Sequence, residues 1–299
     1  MSYILITPIK DEADNLLKLK ETIFNQTVKP LIWVIGDGNS KDGSFQLAKE
    51  LFEDYEWIHV IKQTTFFEKG YSHANFAAGF NDCYEYAKKI CTENNIKYSF
   101  IGKTDATPVL ANNYFEVLIE EMNNDPNLAF TCGLQQDEFK NSKQVLNQFA
   151  GISNIGINDI RMYSREFLEE MERYPNTYSP DVVLQIKALN RGWKVKLTER
   201  TYFVETRLGG SKIGVWKGYK LKGRGMYVLG YHPLLTLLNA IYFFVKIPPY
   251  YQGCAIIHGY LISFIKKEEK INDTEVIEYF WNKRLKEIIH AFLNKFIIG

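Results

Sequence analysis

Carboxylates recur along this chain at places where a ligand could meet them. Tyr98-Ser99-Phe100-Ile101-Gly102-Lys103-Thr104-Asp105-Ala106-Thr107-Pro108 is an apolar, β-forming approach that ends in a charged and hydroxylated step closed by a proline. An aspartate there either caps a turn or holds a ligand, because ligands of open parallel sheets sit just past the carboxyl ends of the strands. Two earlier steps repeat the pattern, Pro8-Ile9-Lys10-Asp11-Glu12 and Asp37-Gly38-Asn39-Ser40-Lys41-Asp42-Gly43-Ser44. One acidic strand end means little, but three in sequence would converge on one edge of one sheet and make a site. Carboxylates gathered there can accept hydrogen bonds, ligate a hard divalent cation or take up a proton. Further on, Ser179-Pro180-Asp181 opens a helical pattern, and on local grounds Asp181 is a helix N-cap.

The elements that must position these residues alternate. Tyr3 to Thr7 reads as a buried strand stopped by Pro8, with carboxylates following where the first turn of a helix favours them. Leu31–Ile35 is a second strand, Phe45–Leu51 a helix, Trp57–Ile61 a third strand and Tyr98 onward a fourth. A polar loop, Glu68 to Asn75, opens the helix between the last two. Strand–helix alternation predicts a doubly wound α/β domain. Tyr114–Met122 then reads as a helix, 129–133 as a strand, the stretch from Ser179 to Leu189 as a helix, and 192–197 and 202–207 as two strands.

The chain has 299 residues, enough for a large core, with 36 basic and 35 acidic side chains and a formal net charge of +1. Near-neutrality gives no support for a general nucleic-acid binder. The 15% aromatic content suits carbohydrate or membrane-interface contacts as well as a large core. Cys83, Cys91, Cys132 and Cys254 lack paired metal-ligand spacing, which predicts reduced thiols in a cytoplasmic setting. Met1-Ser2-Tyr3 runs into apolar residues without a basic leader, so no signal peptide is expected.

The ordered motifs resemble family 2 glycosyltransferases. That family typically carries a Pro-x-x-Asn-Glu step, matched by Pro8 to Glu12, and an Asp-Gly-Gly-Ser-Thr-Asp-Gly-Thr step, matched by Asp37 to Ser44. Its Gly-x-x-x-Ala-Arg-Asn segment corresponds to Gly70–Asn75, with Ala74 where arginine is usual. Its Asp-x-Asp motif corresponds to Asp105-Ala106-Thr107. The match covers roughly the first 115 residues, on those motif positions, and resumes at Ser179-Pro180-Asp181, where the family has a Glu-Asp pair.

The resemblance implies a GT-A fold, a Rossmann-like, mostly parallel sheet flanked by helices, with a helical C-terminal extension. It implies a nucleotide-sugar-binding half over residues 1–125, an acceptor-binding half over 126–225 and an extension over 226–299. It implies an inverting transfer of sugar from a nucleotide-diphosphate donor to a hydroxyl of a glycan or lipid-linked acceptor. Pro8, Glu12, Asp37, Asn75, Lys103, Asp105, Thr107 and Arg207 would bind the donor, and Asp181 would be the general base.

Thr107 departs from the family, since a hydroxyl is a poorer ligand than carboxylate for a hard cation. Asp105 could hold a Mg or Mn ion with phosphate oxygens and water, or Glu205 could complete the shell. Alternatively Arg207, Lys212 and Lys217 neutralise the diphosphate without metal. A divalent metal at Asp105 and Glu205 is the expectation carried forward.

The tail changes character. No acid occurs from Lys212 to Arg224, and Met226–Ile247 and Cys254–Ile265 are apolar runs separated by Pro248-Pro249. Interruptions weaken a spanning reading. Two readings stand, helices lying on the cytoplasmic membrane face and a helical cap on the catalytic domain. A competing function is a glycosyltransferase-like binding protein that no longer catalyses, to which Ala74, Thr107 and Pro180 contribute. A nucleotidyltransferase lacks its early Gly-rich triphosphate loop, and a nicotinamide oxidoreductase lacks Gly-x-Gly-x-x-Gly.

Overall fold

A strand covered on both faces is apolar at every position, and Tyr3–Ile9 (β1) is buried along its whole length in the computed structural model. The structure describes residues 2–67, 72–137, 160–206, 214–246 and 250–288. These fall into two compact units, one up to residue 206 and one from residue 214.

In the first unit Ile32–Asp37 (β2) runs parallel to β1, from Ile4↔Ile32 to Ile9↔Asp37. A 3-10 turn at Ala13–Asn15 and the helix Leu16–Phe24 (α1) connect them. Ser44–Phe52 (α2) leads to Ile58–Lys62 (β3), parallel to β2. Ser72–Glu93 (α3) leads to Phe100–Lys103 (β4), parallel to β1 on its other side. Alternate β1 residues feed different cores, Tyr3 and Leu5 packing with Trp33 and Phe115, and Ile4 and Ile6 with Phe80 and Phe130.

Pro8 does not end β1, which continues to Ile9. Thr104 donates to the Ile6 carbonyl at 3.2 Å and Gly38 to the Ile9 carbonyl at 2.8 Å, so even-numbered positions face β4. Pairing with β4 stops at Ile6↔Lys103. The missing N–H of Pro8 therefore falls beyond the end of that ladder and costs nothing.

Val109–Leu110 (β5), Tyr114–Asn124 (α4), Leu128–Asp137 (β6), Arg161–Ser164 (β7), Arg165–Glu170 (α5), Pro180–Asn190 (α6) and Lys194–Glu205 (β8) complete the unit. The eight strands lie in the order β3-β2-β1-β4-β7-β6-β8-β5. β7 joins antiparallel to β4. β8 is one strand, not the two that the sequence suggests. Its ladder with β6 steps from Cys132↔Leu197 to Leu134↔Tyr202, leaving residues 198–201 as a bulge. Buried Glu121 of α4 satisfies that bulge, accepting from the Thr198 hydroxyl at 2.8 Å and pairing with Lys196 and Arg200. All four cysteines are free, and only Cys254 is exposed.

The second unit contains Val215–Val228 (α7), Pro233–Lys246 (α8), Gln252–Ile265 (α9) and Thr274–Glu278 (α10), the last running into a π-helical turn at Tyr279–Lys283. Asp273 caps α10, its Oδ1 accepting from the Val276 amide at 3.2 Å. Helices α7 and α9 approach backbone to backbone. A Cβ on Gly223 would lie 1.9 Å from the Ile256 carbonyl oxygen, and one on Gly259 would lie 2.0 Å from that of Lys220. Gly259→Ala must therefore push the helices apart, at a cost of about 1–3 kcal/mol. A lowered melting temperature is expected, and an unchanged one would refute the close approach. No described helix is long and apolar enough to cross a membrane.

Candidate functional site at the carboxyl edge of the sheet

Because β1, β2, β3 and β4 are mutually parallel, their carboxyl ends share one edge. The steps that follow them, at Glu12, Asp37, Gln63 and Asp105, therefore belong to that edge. Two of its loops are tied together. Lys41 donates its amide to Asp11 Oδ1 at 2.7 Å, the Asp11 amide meets Ser40 Oγ at 2.9 Å, and the Glu12 amide meets Ser44 Oγ at 2.9 Å. Asp42 accepts from the Ala13 amide at 3.0 Å. Burial pushes Asp42 up, but the Ser44 hydroxyl and the amides of Ala13 and Ser44 outweigh it and hold the carboxyl below its ordinary range. Asp11 and Asn39 sit at φ 52° and 62°, a conformation that short polar side chains tolerate best. Glu12 accepts from Asn15 Nδ2 at 2.5 Å.

Asp37, the last residue of β2, is 2% exposed. Its Oδ2 accepts from the Ser40 amide at 3.1 Å, while its Oδ1 is buried without a hydrogen-bond partner among the described residues. Such a carboxylate oxygen is costly unless something donates to it. Pro8 and Ile9 lie alongside, paired with Gly36 and Asp37. Gln63, which the sequence reading did not single out, follows β3 directly. Its amide donates to the Asp37 carbonyl at 2.9 Å. Its side-chain Nε2 donates to the carbonyls of Thr65 and Asn75 at 2.6 and 2.9 Å. Gly38 and Gly79 leave room for it, since a Cβ on either would come within 3.2 and 2.8 Å of Gln63 Oε1. Only its place one residue past the end of β3 could have flagged it.

Asn75 lies in the first turns of α3 and clips the preceding segment, accepting from the Phe67 amide at 2.7 Å and donating to the Phe67 carbonyl at 3.4 Å. Asp82 receives the amides of Thr64 and Thr65 at 2.6 and 2.9 Å. Burial pushes its carboxyl up, and these amides together with both threonine hydroxyls pull it further down.

Past β4, the chain turns so that β5 pairs antiparallel with β8, Val109↔Val204 and Leu110↔Phe203. That register brings Thr107 to Glu205, the Thr107 hydroxyl donating to Glu205 Oε1 at 3.1 Å. The Thr206 hydroxyl donates to the Thr107 carbonyl at 2.8 Å. The Glu205 carboxylate thus lies beside position 107, though the two residues are 98 apart in sequence. Among the described residues no group of three or more His, Cys, Asp or Glu side chains comes together as a metal site. Arg207, expected at the donor diphosphate, lies outside the described residues, as does Gly70.

Asp181 is in the first turn of α6, behind Pro180 at the N1 position. Ser179, at φ 48°, takes the N-cap place without a side-chain capping bond, so Asp181 is not the N-cap. Freed from capping, the Asp181 carboxylate enters a cluster of charges. Its Oδ1 lies 3.4 Å from Lys103 Nζ and 3.7 Å from Arg161, and it accepts the Tyr174 hydroxyl. Arg161 also donates to the Asp181 carbonyl at 3.2 Å. Both cations are 1% exposed, against 16% for the Asp181 side chain. Aromatic faces line them, Lys103 lying 5.0 Å from the Phe76 ring centroid and Arg161 4.5 Å from that of Phe130. Burial pushes Asp181 up, yet Lys103, Arg161 and Tyr174 together hold its carboxyl below the ordinary range. At neutral pH it is ionised.

No family model matches this sequence, and no curated protein matches it. Solved structures match in shape. The mannosyltransferase PcManGT from Pyrobaculum calidifontis, in complex with GDP-Man and Mn2+, has a TM-score of 0.58 at 14% identity, covering 97% of this chain and 84% of that one. S. aureus TarS has a TM-score of 0.52 at 11% identity over 87% of this chain, which spans only 43% of TarS. TarS 1–349 in complex with UDP-GlcNAc has a TM-score of 0.52 at 10% identity, covering 96% of this chain and 81% of that one. The fold is GT-A-like. In such a sheet the edge carrying Asp37 and Asp105 is where a ligand crevice forms.

Proposed function

We propose that this protein is an inverting glycosyltransferase of the family 2 type, moving a sugar from a nucleotide-diphosphate donor to an acceptor hydroxyl. The observation that carries the reading is Asp37 Oδ1, a buried acceptor without a donor among the described residues, at the carboxyl edge of a GT-A-like sheet. An acceptor-only carboxylate there suits a base that offers a ring N–H, as uracil and guanine do. The similar structures were solved with GDP-Man and Mn2+ in one case and UDP-GlcNAc in another, which agrees with that requirement.

Pro8, Glu12 and Asn75 frame the base and ribose side of this site, and Lys103 and Thr107 act through Asp181 and Glu205. Asp105 and Glu205, with the Thr107 hydroxyl, make a hard-oxygen donor set suited to Mg or Mn, which keeps several waters and takes phosphate oxygens as further ligands. Such an ion would offset the charge of the departing diphosphate, and Arg207 would add to it. Asp181 takes the proton of the acceptor hydroxyl as its oxygen bonds to the anomeric carbon. The bond from that carbon to the phosphate oxygen breaks on the opposite face, and the nucleoside diphosphate leaves with the electron pair. Lys103 and Arg161 keep Asp181 ionised for this step and make it a modest base. A glycan or lipid-linked acceptor and a peripheral cytoplasmic membrane location complete the proposal.

A thermal-shift panel of nucleoside diphosphates and their sugars, each with and without Mn, tests the reading. A ligand at about 100 times its Kd stabilises by about 2.7 kcal/mol. We expect one base class to raise the melting temperature, more so with Mn. No shift with any of them would contradict the proposal. Binding without turnover, unaffected by Asp181→Asn, would favour the non-catalytic alternative.

A further inference from the structure

The exposed side of α8 is apolar. Leu234, Leu237, Ile241, Phe244 and Val245 recur at helical spacing on one face and are 43% to 59% exposed. Helix α9 adds Leu261, Phe264 and Ile265, 50% to 75% exposed. The two helices are in backbone contact, since a Cβ on Gly253 would lie 2.3 Å from the Ala240 carbonyl oxygen. Scattered exposed leucines need no explanation, but five large apolar side chains on one face of α8 do. Tyr250 and Tyr251 stand exposed at one end of this hairpin and Trp216 in α7, the residue types that favour a boundary between water and hydrocarbon.

On its other flank α9 packs on α7, and between them lies a cavity of about 390 Å3. Lys217, Lys220, Leu221 and Arg224 of α7, spaced i, i+3, i+4 and i+7, form one wall, and Ile262 and Lys266 of α9 form the other. Its lining is mostly apolar, and the charged side chains in it are Lys217, Lys220, Arg224, Lys266 and Glu268. Arg224 is held by Glu268, whose Oε2 lies 2.6 Å away. Lys217, Lys220 and Lys266 remain for an anion, the first two in a stretch, Lys212 to Arg224, where no acid occurs. An apolar protein partner would account for the exposed face and leave these cations unexplained. An anionic bilayer accounts for both.

We propose that α7, α8 and α9 form a docking surface for a bilayer carrying anionic phospholipids, the apolar face of α8–α9 entering the acyl boundary and a lipid phosphate seating at Lys217, Lys220 and Lys266. This names the membrane contact that the proposed function requires, and the docking itself needs neither donor nor turnover.

Vesicle co-sedimentation of the full chain tests it, with phosphatidylcholine vesicles and with phosphatidylcholine vesicles that also contain phosphatidylglycerol. The wild type should bind the anionic vesicles more tightly. Each lysine near the surface contributes about fivefold, so the K217A/K220A/K266A variant should lose about a hundredfold on anionic vesicles and little on neutral ones. The I241D/F264D variant should lose binding to both. All these positions except Lys220 are well exposed, and melting curves verify that the variants fold. Equal wild-type binding to both vesicles, no binding, or retention of the anionic preference by the lysine variant would overturn the proposal. So would a wild-type dimer that I241D/F264D dissociates without any vesicle binding. Titrating nucleoside diphosphate into the same preparations separates the two proposals, since vesicle binding without nucleotide binding contradicts only the proposed function.

Discussion

Asp181→Asn should abolish glycosyl transfer and at the same time weaken the fold. The catalytic part follows from removing a positioned proton acceptor, worth about 10²–10⁴ in rate. The structural part follows from the surroundings, because Lys103 and Arg161 are each 1% exposed and the substitution leaves both facing an uncharged amide. Removing one member of a buried charge cluster costs about 3–5 kcal/mol, and the 16% exposure of Asp181 puts the expected loss toward the lower figure. Measured by chemical denaturation, a loss below about 1 kcal/mol would mean that the cluster is not holding α6 in place.

The pH dependence has a definite sign. The folded-state pKa of Asp181 is depressed, so its stabilising contribution is present above its unfolded value and disappears as pH falls through the folded one. The wild type should hold its melting temperature down to about pH 4, the ordinary carboxylate value, and lose it below. Asp181→Asn should flatten that acid limb. Lys103→Met supplies the control. With one cation gone the Asp181 carboxyl should rise toward its ordinary range, moving any acid limb of the activity profile to higher pH.

Asp37→Ala should weaken nucleotide binding with little loss of stability. Its Oδ1 has no partner among the described residues, so deleting the carboxylate relieves a desolvated oxygen and sacrifices the 3.1 Å bond from the Ser40 amide. A hydrogen bond from a ligand N–H to a carboxylate contributes about 1.5–3 kcal/mol, which sets the expected loss of affinity at roughly 10- to 150-fold. Equilibrium titration of the nucleoside diphosphate that stabilises the wild type measures it. Undiminished affinity would show that the base is read elsewhere.

Much of this edge was legible because its signals are local. A buried apolar run ending in Gly, Asp and Asn announces both a strand and the loop beyond it, and Asp37 and Asp105 lie where that pattern puts them, past parallel strands. Pro8 misled because a proline stops a strand only where its missing N–H faces a neighbour, and which side it faces depends on β4, nearly a hundred residues on. β7 was invisible for a similar reason. Its four residues, Arg161–Ser164, are too few to display a period, and their strand character comes from pairing with β4 and β6.

The surroundings of Asp181 were beyond local reading altogether. Lys103 reads as a charged strand end near a ligand, yet its partner is 78 residues away and the pairing exists only because β4, β7 and α6 converge. Glu205 beside Thr107 was reachable as one option among three. The antiparallel β5–β8 register is what brings it to the Thr107 hydroxyl.

The central claim is that the strand-end carboxylate of Asp37 reads the base of a nucleoside diphosphate, and calorimetric titration with UDP, GDP, CDP and ADP tests it most directly. An acceptor-only group needs a donor, which the uracil and guanine rings supply at N–H and the ring nitrogens of cytosine and adenine at the same edge do not. The account predicts saturable binding of UDP or GDP, at least tenfold weaker binding of CDP and ADP by the hydrogen-bond magnitude above, and loss of that preference in Asp37→Asn. Equal affinity for all four, or binding of none, would contradict it.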